Sequence, residues 1–97
     1  MYVGIARIEL HIPASGSLKA KRTVVKGLIG GLRAKFNVAA AEVDHLELWQ
    51  RTALGVTCVS GEAWHVQKML ENIERYVESE HRVDVLSVHT EVVQDED

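Results

Sequence analysis

The stretch Ser17–Phe36, SLKAKRTVVKGLIGGLRAKF, decides how the chain is read. Leu18, Val25, Leu28, Ile29, Leu32 and Phe36 recur at spacings of three and four, the period of a helix with one buried stripe. Ser17 stands where an N-cap is expected, and Asn37 where a left-handed residue would end the helix. An amphipathic helix needs a second layer to bury its stripe against.

The flanking sequence provides that layer as strands. Residues 2–12 alternate: Gly4, Ala6, Ile8, Leu10 and Ile12 point one way, and Val3, Ile5, Arg7, Glu9 and His11 the other. Pro13 and the turn-rich PASGS then lead into the helix. Beyond it, residues 38–43 (VAAAEV) predict a short strand, 44–50 (DHLELWQ) a connection, and 51–60 (RTALGVTCVS) a third strand. Ser60-Gly61-Glu62 opens a second helix whose stripe is Val66, Met69, Leu70, Ile73 and Val77. Residues 83–92 predict a fourth strand, and the acidic tail 94–97 is expected to fray. The order β-α-β-β-α-β is an α+β, ferredoxin-like two-layer sandwich. Two helices cover one face of a four-stranded antiparallel sheet with strands one and three central, in a single domain spanning 1–97.

Composition narrows the class. A chain of 97 residues, 46% hydrophobic and 26% charged, is an ordinary globular domain. No apolar run is long enough for a membrane span, and the N-terminus lacks a basic leader. The lone Cys58 lies in an apolar run and reads as a buried, reduced thiol in a cytoplasmic protein. No His or Cys spacing points to a metal, and no cofactor motif is present: the Gly30-Gly31 pair lies inside a helix rather than at its mouth.

The string SLKAKRTVVKGLIGGLRAKFNVAAAEVDH, followed by LWQR and LGV and preceded by GIARIELHIP, resembles the YlxP-like family of small bacterial proteins, also called DUF503. The resemblance covers Val3 to about Glu91. It implies a ferredoxin-like fold and, from the genes that accompany the family, a setting in translation and ribosome maturation. It implies no reaction.

Charge distribution adds a surface. Residues 18–36 hold Lys19, Lys21, Arg22, Lys26, Arg33 and Lys35 and no acid. Taking these six positive charges from a net charge of −3 leaves −9 on the rest. Lys19, Arg22, Lys26 and Arg33 share one arc, while Lys21 and Lys35 lie near the apolar stripe and would have to snorkel. Lys19, Lys21, Arg22, Lys26 and Arg33 are therefore the expected phosphate contacts of an RNA or ribonucleoprotein partner. The bland alternative is a solvated stripe paired with acids elsewhere, such as Glu42 or Glu62. Gly27 and Gly31 are expected on the outward face, where small residues would let a partner backbone approach.

Three further features are candidates. The open sheet face, with Val3, Ile5, Arg7, Ala53, Gly55, Thr57 and Val59, offers no aromatic for base stacking and reads better as a homodimer or protein contact. Trp64 is an interface anchor or a residue folded back against a loop. In the 44–51 connection, Asp44, His45, Trp49 and Arg51 are the candidates; Trp49 reads as a plug or lid before a stacking platform. Asp44 and His45 could form an acid–base pair, but no nucleophile stands at a recognisable spacing. The expectation is a binding protein, not an enzyme. The alternative is a homo-oligomeric or small-ligand-binding domain using the open face or this loop.

Overall fold

The computed structural model describes residues 1–95. Strand β1 (Tyr2–His11) is followed by helix α1 (Leu18–Lys35) and strands β2 (Ala39–Asp44) and β3 (Arg51–Ser60). Helix α2 (Ala63–Glu78) and strand β4 (Asp84–Gln94) complete the chain. The strands form one antiparallel sheet in the order β2-β3-β1-β4, so β1 and β3 are central. This is the β-α-β-β-α-β arrangement expected from the alternation of periods. Among the described residues no helix is long and apolar enough to cross a membrane.

The core lies between sheet and helices. From β1 it takes Ala6, Ile8 and Leu10; from β3, Leu54, Val56 and Cys58. The helices contribute Val25, Leu28 and Leu32 from α1 and Val66, Leu70, Ile73 and Val77 from α2. Alternation in the strands and the 3.6 period in the helices deliver these side chains to one layer. Burial pushes the Cys58 thiol above its ordinary range, as an inert core thiol requires.

Helix ends follow local chemistry in part. Ser17 Oγ accepts the Ala20 amide at 3.0 Å, as an N-cap should. At the other end α1 stops without a left-handed residue. Phe36 is extended, and the only non-glycine with positive φ among the described residues is His45, so Asn37 is not the stop expected for it. Gln94, assigned to a fraying tail, is the last residue of β4, and the Asp95 amide donates to the Met1 carbonyl at 2.8 Å. The rest of that tail, 96–97, lies outside the described residues.

One glycine is set by packing. A Cβ on Gly4 would stand 2.6 Å from Val66 Cγ1 and 2.8 Å from Cys58 Sγ, so α2 can lie this close to β1 only above a glycine. Gly4→Ala is expected to lower unfolding free energy by about 1–3 kcal/mol, the usual cost of overpacking. Urea denaturation measures it, and an unchanged midpoint would contradict the close approach.

Candidate functional site

Lys21 departs most from what its sequence position predicts. Its side chain is 0% exposed, not a surface cation. The ammonium lies 2.9 Å from Glu42 Oε2 and donates to the carbonyls of His45 (2.8 Å), Leu46 (3.0 Å) and Arg51 (3.2 Å). Three N–H groups thus face four acceptors, and Thr52 Oγ1 donates to the same Glu42 oxygen at 2.7 Å. Lys21 thus belongs to the buried side of α1 with Val25 and Leu28, and sets its charge against Glu42 and the 44–51 connection. Lys21 is therefore not a phosphate contact. Glu42, considered as a partner of the basic stripe, is committed to Lys21.

Glu42 reaches this position through a β-bulge. Glu42 opposes Leu54 and Asp44 opposes Ala53, leaving Val43 as the extra residue of β2. Plain alternation would put Glu42 and Asp44 on one face. With the bulge, Glu42 points to the helices and Asp44 to the open face.

On that open face Asp44 joins a charged cluster. Arg7 donates to Asp44 Oδ2 at 3.0 Å and to Glu9 Oε2 at 3.5 Å. Glu9 Oε1 faces His45 Nε2 at 2.9 Å and accepts from Arg51 Nη2 at 3.3 Å. The His45 amide bond to its carboxylate, then Arg7, hold the Asp44 carboxyl below the usual carboxylate range. His45 Nδ1 stands 3.9 Å from Asp44 Oδ1, beyond hydrogen-bond reach, so Asp44 orients the His45 backbone and Glu9 its ring. The left-handed φ of 60° at His45 turns its carbonyl toward both Lys21 and the Leu48 amide. No hydroxyl or thiol bonds any member of this cluster. Among the described residues no group of three His, Cys, Asp or Glu side chains is arranged to hold a metal ion. The cluster links the loop to β1 and the edge strand, and its exposed pairs are of a kind that contributes little to stability.

The loop it orders turns its apolar side chains outward. Trp49 is 55% exposed, and Leu46 and Leu48 are about half exposed, so Trp49 is not a core plug. The loop is nevertheless tied at its end: Gln50 Nε2 donates to the Pro13 and Ser15 carbonyls, and the Gln50 carbonyl accepts the Ile12 amide. Trp64 is 68% exposed, its ring tilted against His65 at 5.6 Å rather than folded onto a loop.

The open face itself runs from apolar to charged. Val59, Val3 and Val93 form one row across β3, β1 and β4; Thr57, Ile5 and Glu91 form the next; Gly55, Arg7 and His89 follow. It holds no Phe, Tyr or Trp at these positions. Val59 is 56% exposed, and Val93 and Val43 nearly half. Of the residues expected at an interface, Val3, Ile5 and Val59 thus lie together, while Trp64 is on the helix layer.

The remaining cations of α1 are exposed. Lys19, Arg22, Lys26, Arg33 and Lys35 have no carboxylate within 4.0 Å among the described residues, whereas Arg7, Lys21, Arg51, Lys68 and Arg82 each have at least one. Arg33 Nη2 donates to the Ala40 carbonyl at 2.7 Å, which places this flank of α1 along the β2 edge. The glycines expected on the outward face are partly taken. Gly31 faces α2, where a Cβ would overlap the Tyr76 hydroxyl, and the Arg82 guanidinium lies within ordinary contact distance of where a Gly27 Cβ would stand. Only Gly30 of the three has open space above it.

Residues 3–90 match the family described as "Protein of unknown function (DUF503)". The chain belongs to the DUF503 family. It is 33% identical over 89 residues to "Uncharacterized protein YlxP" of Bacillus subtilis (strain 168), a match covering 92% of this chain and 97% of that protein.

The buried ion pair makes a direct prediction. Lys21→Met leaves the Glu42 carboxylate without its cation and removes one donor from each of three carbonyls; the expected loss is about 3–5 kcal/mol of stability, as for other broken buried pairs. Lys19→Met, on the exposed arc, is expected to change stability by less than about 0.5 kcal/mol. Guanidinium denaturation compares the two, and equal effects would remove Lys21 from its structural role.

Proposed function

We propose that this protein acts by binding rather than by catalysis, and that its partner is a cytoplasmic RNA or ribonucleoprotein lying along the β2-side flank of α1. The observation that supports this reading is the exposed, carboxylate-free stripe Lys19, Arg22, Lys26 and Arg33, in a protein that pairs five of its other cations. Unpaired cations on one side of a net-acidic protein keep their field for a partner. Lys19 in the first turn of α1 opposes the helix dipole, a local cost that an exposed structural stripe has no need to carry. Contacts of this kind go to phosphate, and they give affinity and salt dependence without base specificity.

Fluorescence anisotropy with single-stranded RNA across a salt series tests this. Each phosphate contact contributes about 0.7 to the log–log slope, so K19E/R22E/K26E is expected to lower that slope by about 2. An affinity independent of salt, or unchanged in the triple variant, would refute the reading.

A second reading has its own observation. The Val59–Val3–Val93 row on an uncovered sheet face, its two outer members about half exposed, fits a contact with another copy of the chain or a protein partner. Val59→Lys is then expected to shift light-scattering mass toward the monomer. A wild-type protein that stays monomeric at millimolar concentration would dispose of self-association.

A further inference from the structure

Where α1 and α2 end side by side, Lys35, Phe36, Asn72, Arg75, Tyr76 and Ser79 line a cleft of about 390 Å³. That volume falls within the range of small-molecule sites, roughly 300–1,000 Å³. No carboxylate lines it. Lys35 and Arg75 have no acidic partner within 4.0 Å among the described residues. The Asn72 amide and the Tyr76 hydroxyl likewise make no side-chain hydrogen bond there; the only side-chain bond among the lining residues runs from Ser79 Oγ to the Tyr76 carbonyl. Four donor groups of one cleft are thus unspent.

The cleft is also held in shape. Glycine at 31 lets the Tyr76 phenol lie over α1. Phe36 meets the Tyr76 ring edge-on, with centroids 5.8 Å apart and planes at 87°. The Lys35 ammonium stands 5.6 Å from the same ring centroid. Cations at helix C-termini ordinarily serve the dipole, and that accounts for part of the charge here. Each helix end carries about −0.5, less than the one full positive charge that stands beside it. Dipole compensation explains neither the free amide and phenol nor the cavity.

We propose that this cleft binds a phosphate monoester with an organic body, of mononucleotide size. Arg75 and Lys35 take the phosphate, Asn72 and Tyr76 add neutral hydrogen bonds, and Phe36 forms the apolar wall. The two cations match the nearly double negative charge of a phosphate monoester better than the single charge of a carboxylate, and the guanidinium fork suits phosphate geometry. The site is separate from the basic stripe on the β2 side of α1, and it stands without the RNA reading. The monoester could come from a free nucleotide or from the 5′-phosphate of an RNA chain.

Calorimetric titration of the full chain with uridine 5′-monophosphate, uridine, and short RNA carrying either a 5′-phosphate or a 5′-hydroxyl tests it. The monophosphate is expected to bind and uridine not. If only the 5′-phosphorylated RNA binds better than its hydroxyl counterpart, the source is the chain end and the site stands. K35Q/R75Q should weaken binding about tenfold or more, Tyr76→Phe should weaken it less, and both should keep the wild-type melting temperature. K19E/R22E/K26E should leave monophosphate binding unchanged, which separates this site from the stripe. No binding by any phosphorylated probe, or binding untouched by K35Q/R75Q, would overturn the proposal.

Discussion

The Lys21 ammonium is the constraint on which one half of the molecule depends. It ties the first turn of α1 to β2 through Glu42, to the following loop through the His45 and Leu46 carbonyls, and to the start of β3 through the Arg51 carbonyl. A cation in the first turn of a helix is electrostatically misplaced by a few tenths of a kcal/mol. Four close acceptors outweigh that, and a fully buried charge would be untenable without them. β2 is short and lies at the sheet's edge, so it has little apolar area of its own to hold it. The buried lysine supplies the attachment that hydrophobic packing does not.

The bulge at Val43 belongs to the same arrangement. It sends Glu42 inward to Lys21 and Asp44 outward to Arg7, so consecutive acids of one strand serve opposite faces. Glu9, His45 and Arg51 then lock the loop from the open side while Lys21 locks it from the core side. A loop held twice can keep Leu46, Leu48 and Trp49 in solvent without collapsing onto the core. This rigidity distinguishes an apolar loop that serves a surface from one that is merely disordered.

Three surfaces result, and they do not overlap. The β2-side flank of α1 is basic, the open sheet face grades from valine to paired charge, and the shared end of the two helices is a donor-rich cleft. Their chemistries differ: unpaired cations, exposed valines, and hydrogen-bond donors beside an aromatic wall. The polar cluster on the open face spends its charges internally, which removes it as a source of free acid–base groups and leaves the valine end of that face as its distinctive feature.

The elements and their layers were legible in the sequence because each rests on a period. Leu28 and Leu32, or Ile8 and Leu10, find the core wherever the chain goes, since the spacing alone puts them on one face. The N-cap at Ser17 was legible for the same reason: it needs only a hydroxyl three residues before an amide. The site residues were not, because their roles depend on distant partners. Lys21 and Lys19 are two residues apart and chemically identical, yet one is interior and one exposed; Glu42 and three carbonyls, at least 21 residues away in sequence, decide it. Gly31 reads as an outward residue until Tyr76, 45 positions on, is placed above it. Periodicity is a property of the local chain and survives in the sequence. Which polar group meets which is a property of chain crossings, and only the tertiary structure decides it.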